Sequence, residues 1–257
     1  MNEERNSEDV SPEKNTSEPL TYSGQLSSTS PPLHTYNVYY GKWHANLIFC
    51  TKTPIYLASV SEYTSNKPDV TLHDICGLEK EDTNAPVIAV AHFRWSRDIK
   101  LGLGDPLNNP NGMIWEEMRN SSKFYTHTKY QFEFASAGSN LSTFPVPSSY
   151  ATTPFITTST RRTYCWQRTN STLDGVSAWA KASLGNYKLI DLARSETIAV
   201  FLSNGAKSWK KAGKLRIKDD VDKKLEIIIV LGAASLAEKL RRRTKWTWMA
   251  GASTAGP

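Results

Sequence analysis

The sequence predicts a mainly β fold, a closed antiparallel β-barrel of about twelve strands with a central apolar α-helix near the C-terminus. Two observations carry this reading. Short apolar or alternating runs follow one another from residue 45 to residue 218 with almost no helical period among them. One later segment, 221–243, switches to helical spacing, and inside it residues 227–237 (IIIVLGAASLA) carry no charge on any side. A helix that is apolar all round needs apolar cover all round. A barrel threaded by that helix supplies the cover and leaves no sheet edge open.

Taken in order, residues 1–34 are Ser, Thr, Glu, Asn and Pro with few large apolar side chains. Such a segment cannot offset its ordering entropy and reads as a disordered tail. Residues 45–50 and 54–60 are apolar runs parted by Thr51-Lys52-Thr53, which suits a hairpin. A brief strand follows at 69–73. Residues 86–93 (PVIAVAHF) are apolar on both faces, as a strand covered on both sides requires. Residues 97–103 alternate, with Ile99, Leu101 and Leu103 on one face, and end in the turn GLGDP.

Residues 113–118 form the next strand. The alternation over 123–134 places Phe124, Thr126, Thr128, Tyr130, Phe132 and Phe134 on one face of a single long strand. Residues 135–160 are rich in Ser, Thr and Pro and read as a loop insertion. Strands resume at 161–168, 186–192, 197–202 and 213–218. Asp219, Asp220 and Asp222 at the helix start, and Lys239, Arg241, Arg242 and Arg243 at its end, match the helix dipole. The eleven-residue uncharged window 227–237 falls short of the roughly 20 apolar residues a membrane span needs. Residues 249–257 read as a second disordered tail, so the domain is expected over 35–248.

At 257 residues, 39% hydrophobic and 11% aromatic, the chain suffices for one large β domain. Cys50, Cys76 and Cys165 are odd in number and far apart, unlike a disulfide framework. The first residues, Met1-Asn2-Glu3-Glu4-Arg5, hold no apolar run, so no signal peptide is read. The expectation is a reducing compartment: cytoplasmic, with peripheral membrane or nuclear placement as the alternatives. The formal net charge of +6 permits an anionic partner without requiring one.

Catalytic and metal motifs are absent from the sequence. His34, His44, His73, His92 and His127 are scattered, with no His-x-His or Cys-x-x-Cys spacing for zinc. There is no Gly-x-Ser-x-Gly elbow and no phosphate-binding loop. The cluster His73-Asp74-Ile75-Cys76 lies in a strand-to-loop segment where its side chains diverge. Glu116 and Glu117, adjacent on a strand, point to opposite faces and cannot form an acid/base pair. The reading is no enzyme, no cofactor and no metal.

The strongest functional signal is electrostatic. Residues 207–218 pack six basic side chains into twelve positions: Lys207, Lys210, Lys211, Lys214, Arg216 and Lys218, with Trp209 among them. On the strand portion Lys214, Arg216 and Lys218 share one face, Leu215 and Ile217 the other. Converging cations beside an indole suit the phosphates of an anionic headgroup at a membrane surface. A solvated outer barrel face is the plainer account of the same pattern. Arg94, Arg97 and Lys100 are a second, weaker basic set. The cluster KLRRRTK (239–245) resembles a nuclear-localisation signal, but at the end of a buried helix it reads as serving the dipole and solubility.

RDIKLGLGDP (97–106), IWEEM (114–118), AVFLSNGAKSWKKAGKLRI (199–217) and LEIIIVLGAASLAEKLRRR (225–243) resemble a fungal branch of the tubby C-terminal-like superfamily. That group also contains phospholipid scramblases and the plant LURP-one-related proteins. The resemblance spans about residues 36–243, and its most specific part is the strand-to-helix ending. It implies a twelve-stranded barrel around a central helix and a binding or membrane-associated role. Tubby proteins bind phosphoinositide headgroups through basic side chains on the barrel wall. Scramblases add a cysteine-rich segment and calcium-binding acidic residues, whereas this chain has three cysteines. The expected function is a non-enzymatic binding or scaffold protein that contacts phosphoinositides or other anionic membrane lipids peripherally. The alternatives are a scramblase-like lipid-moving protein and a nucleic-acid-binding regulator.

Overall fold

The computed structural model describes residues 33–41, 46–61, 67–78, 82–94, 96–122, 126–135, 161–177, 183–204, 208 and 210–252, with side chains as far as 245. Twelve strands are followed by one helix: β1 (Leu33–Tyr40), β2 (Leu47–Cys50), β3 (Pro54–Val60), β4 (Val70–Asp74), β5 (Val87–His92), β6 (Ile99–Leu103), β7 (Ile114–Asn120), β8 (Lys129–Ala135), β9 (Arg161–Arg168), β10 (Tyr187–Asp191), β11 (Glu196–Ser203), β12 (Lys211–Lys218) and α1 (Lys223–Ala252). Each strand pairs antiparallel with its sequence neighbours, and β1 pairs with β12 to close the barrel. The fold class read from the sequence is the one observed.

The period-2 pattern decides which side chains enter the barrel. Tyr36 and Val38 of β1, Ile99 and Leu101 of β6, Phe132 and Phe134 of β8, and Leu215 and Ile217 of β12 all join one core. Helix α1 fills its centre. Every residue from 228 to 236 is buried, a stretch of more than two turns, so no helix face reaches water. Each large aliphatic side chain there contributes about 1.5–3 kcal/mol by leaving water. Among the described residues no helix is long and apolar enough to cross a membrane.

Both ends of the buried stretch of the helix carry polar closures. At its start Glu226 accepts hydrogen bonds from the hydroxyls of Tyr36 (2.6 Å) and Tyr56 (2.7 Å). At the opposite mouth Glu238 accepts from the Nε groups of Arg241 (2.6 Å) and Arg242 (2.7 Å). Arg242 continues to Asp69, and Lys239 Nζ donates to the carbonyls of Ser96 (2.8 Å) and Arg97 (2.9 Å). Lys239 and Arg242 are therefore buried, not solubilising as the KLRRRTK reading has them, because the β4 and β5 ends present acceptors that hold them.

Most strand boundaries differ from the sequence reading by one or two residues, and four differences bear on the architecture. β1 lies across the end of the expected tail, starting at Leu33, and is the strand that closes the barrel. The strand expected over 123–134 begins only at Lys129: His127 adopts a positive φ of 51°, which breaks an extended run. β6 starts at Ile99 instead of residue 97. α1 continues to Ala252, past the boundary expected at residue 249. The readings for 1–32, 136–160 and 253–257 lie outside the described residues.

Candidate functional site

Strand β12 carries the basic run, and its register fixes where each cation goes. Leu215 and Ile217 are buried, so Lys214 and Arg216 stand on the outer wall. Arg216 lies between Thr35 of β1 and Val200 of β11, and Lys214 between Asn37 and Leu202. The β1–β12 ladder slips by one residue after Val38, so that Tyr39 pairs with Lys211. Gly213 sits at the slip because a Cβ there would strike the carbonyl of Leu202. The slip brings Lys211 onto the same side as Lys214. Lys211 Nζ donates to Asn37 Oδ1 at 2.9 Å and lies 5.8 Å from the Tyr39 ring centroid.

The loop 169–177 folds against this wall. Thr169 donates to the Asp174 carboxylate, which also pairs with Lys188 of β10 at 3.3 Å. That arrangement turns the Asp174 carbonyl toward Arg216, which donates to it through Nη2 at 2.5 Å. Gly175 follows with φ +84°, and any Cβ would collide with the Arg216 guanidinium. Only glycine lets the loop come this close.

The result is a groove of about 370 Å³ whose polar lining includes Lys211, Lys214, Arg216, Asn186, Asn204 and Thr35. The nearest loop carboxylate is committed to Lys188, and among the described residues no carboxylate pairs with Lys211, Lys214 or Arg216. Partial burial and then the like charge of Lys214 lower the Lys211 ammonium from its ordinary value. An anion in the groove would offset both effects. Its chemistry is that of an anion cradle: fixed donors from the amides, the fork of Arg216 and two ammonium groups, with no nucleophile paired to a base.

The structure does not keep all seven predicted residues together. Lys211, Lys214 and Arg216 line the groove. Lys210 is exposed at the strand start, outside the lining. Lys218 is taken by an ion pair with Glu196. Lys207 and Trp209 lie outside the described residues. The sequence reading missed Asn186 and Asn204, whose positions beside strand ends carry no periodic signal.

The other sequence candidates separate as well. Asp74 accepts the Cys76 amide at 3.0 Å, while His73 turns away to the carbonyl of Ala85. Glu116 pairs with Arg161 at 2.5 Å and Glu117 with Arg119 at 2.8 Å, on opposite faces of β7. In the GLGDP segment Asp105 accepts from the amide of Leu107 at 2.9 Å and closes a turn. Lys100 is spent over the Trp115 ring, 4.5 Å from its centroid. No protein-family model matches this chain, and neither a curated protein nor a solved structure matches it significantly.

Proposed function

We propose that this chain is a binding protein of tubby-like type that docks peripherally on anionic membrane lipids, phosphoinositides above all, through the β12 groove. One observation carries the reading: Lys211, Lys214 and Arg216 converge on a single outer groove without a carboxylate partner among the described residues. A solvated barrel face spreads its charges and pairs them, as Lys218–Glu196 and Lys188–Asp174 do on the same wall. Cations grouped and left unneutralised suit a phosphorylated headgroup, which needs several donors at one point. The β12 groove binds; nothing in it cleaves.

The test is cosedimentation with liposomes, with and without phosphoinositides, at low and physiological salt. The comparison is between the parent, Lys211→Glu with Lys214→Glu, and a charge-matched control, Lys52→Glu in the β2–β3 turn with Lys129→Glu at the start of β8. Each lysine at an anionic surface is worth about 1 kcal/mol, so losing two weakens binding roughly thirtyfold. The control should lose far less, and binding should fall with salt. Equal loss in both variants, or no binding by the folded parent, refutes the assignment.

A further inference from the structure

The wall formed by β3, β4 and β5 carries a second arrangement, separate from the β12 groove. Ser59 lies opposite Thr71 in the β3–β4 ladder, and His73 is its diagonal neighbour on the same outer face. Beyond β4 the chain turns back. Ile48, Leu57, Ile75 and Ala85 form a small apolar cluster outside the barrel, and the Asp74 amide donates to the Pro86 carbonyl at 3.0 Å. These contacts hold the Ala85 carbonyl 2.9 Å from Nδ1 of His73.

That contact fixes the tautomer. A carbonyl only accepts, so Nδ1 carries the proton, and Nε2 of the neutral ring is left as an acceptor. Nε2 lies 3.0 Å from the hydroxyl of Ser59, closer than the alternative acceptor, Thr71 O at 3.3 Å. Nucleophile, base and orienting acceptor thus stand in a row in the sense that serine activation needs. The base is sheltered, with His73 5% exposed, while Ser59 is half-buried. Both open onto a groove of about 670 Å³ with apolar walls that include Val60, Pro68, Val90 and Trp115. The side chains of Thr71 and His92 line the same groove.

We propose that Ser59 is a nucleophile and His73 its general base, in a site that hydrolyses uncharged esters with a short apolar acyl group. The hydroxyl proton passes to Nε2 as Oγ bonds to the ester carbonyl carbon and the carbonyl electron pair moves onto oxygen. Collapse breaks the bond to the alkoxide, which takes the proton from Nε2 and leaves as the alcohol. Water then adds to the acyl-Ser59 by the same route, with His73 taking and returning its proton. The products are one carboxylic acid, one alcohol and the free serine. A groove whose apolar walls flank the Ser59–His73 pair, with Lys67 and Asp105 also in its lining, suits a short acyl chain, whereas the β12 groove, polar and cationic, has no such pair.

The full chain should be incubated with a fluorophosphonate probe, the modified peptide located by mass spectrometry, and p-nitrophenyl acetate and butyrate turnover followed alongside. The expected result is a single adduct on Ser59 that is lost in Ser59→Ala. In folded His73→Gln, labelling should slow by about 10²–10⁴-fold. Ser59→Ala removes only a half-buried hydroxyl and keeps the fold, which circular dichroism verifies. Labelling needs no lipid and cosedimentation needs no probe, so failure here and failure of lipid docking are read separately, and Lys52→Glu with Lys129→Glu, outside both grooves, should label at the parental rate. No Ser59 adduct on the folded parent, or an adduct formed equally fast in folded His73→Gln, overturns the proposal and leaves the pair as a hydrogen bond that fastens a loop.

Discussion

Asp69 and Arg242 lie 173 positions apart in the chain, yet the guanidinium donates to the carboxylate at 2.6 Å inside one mouth of the barrel. Both side chains are about nine-tenths buried, at 10% and 9% exposure. The other Asp69 oxygen accepts the backbone amides of Phe93 and Arg94, each at 2.8 Å. One carboxylate therefore ties α1, where it leaves the barrel core, to the start of β4 and to the turn after β5.

Removing one partner of such a pair costs more than the pair itself contributes, because the remaining charge stays buried. Asp69→Ala leaves the Phe93 and Arg94 amides without their acceptor and Arg242 with Glu238 as its remaining carboxylate, and at about 1–3 kcal/mol for each such amide should cost about 2–5 kcal/mol. Urea denaturation checks this, against Glu117→Ala on the exposed Arg119 pair, expected to cost under about 1 kcal/mol. Equal costs would mean that the mouth network contributes little.

The two polar closures also set the pH dependence of stability. Burial raises the Asp69 carboxyl, but the Phe93 and Arg94 amides and Arg242 outweigh it and leave it below its ordinary value. Glu226 is likewise lowered: Tyr36, Tyr56 and Lys223 overcome its burial. For both, the unfolded chain takes up protons first as pH falls, so their stabilisation is present near neutrality and is lost below about pH 4. Burial, then the Glu226 carboxylate, raises the hydroxyls of Tyr36 and Tyr56 far above the usual tyrosine range. The unfolded chain then releases protons first, so stability falls as pH rises past about 10. Denaturation midpoints at pH 3, 7 and 11 should trace both limbs. Glu226→Gln should weaken the acid limb and only lessen the alkaline one, because burial still raises both tyrosines, while Asp69→Asn should weaken the acid limb alone.

Legibility in the sequence followed the range of the interactions. The alternation within β8, where Tyr130, Phe132 and Phe134 are buried and the residues between them are not, and the uncharged stretch of α1 report burial residue by residue, so those elements were readable. β1 (Leu33–Tyr40) was not: only Tyr36 and Val38 of its eight residues are buried, and its closing partner is β12, at the far end of the fold. The cations of β12 were visible as a cluster, but the pairing of Lys218 with Glu196 depends on the β11–β12 hairpin and carries no local mark. Ser59 and His73 were invisible as a pair, because a diagonal contact between strands leaves no motif in the chain. The burial of Lys239 and Arg242 was hidden for the same reason, their acceptors outside the helix lying 142 to 181 positions away.

Gly232 sits mid-helix against Trp166, and a Cβ there would lie 3.0 Å from the indole nitrogen. On propensity alone Gly232→Ala gains about 1 kcal/mol. Trp166 is fully buried, however, and has no room to withdraw; overpacking of this kind costs about 1–3 kcal/mol. The substitution should therefore be neutral to destabilising, and Gly232→Val clearly destabilising. Melting temperatures and the emission of Trp166, read in a chain with its other tryptophans replaced by phenylalanine, would show it. A stabilised Gly232→Ala variant would mean that helix and wall are less tightly packed than the geometry has them.

Ile229 tests the central helix itself. It is fully buried within the uncharged stretch of α1, three residues past Glu226 and nine before Glu238, the carboxylates that flank that stretch. Those two are tolerated because each meets donors: tyrosine hydroxyls for Glu226, arginines for Glu238. At position 229 the neighbours are apolar, so Ile229→Asp buries a carboxyl without a partner and also forfeits the packing of the isoleucine. Changes of that kind exceed about 4 kcal/mol, against a total stability of about 5–15 kcal/mol for a domain. The variant should be unfolded or molten at 25 °C by near-UV circular dichroism. Ile229→Val, which removes one methylene, should cost only about 0.5–1.5 kcal/mol and keep the native spectrum. An Ile229→Asp protein that melts like its parent would place this helix outside the barrel.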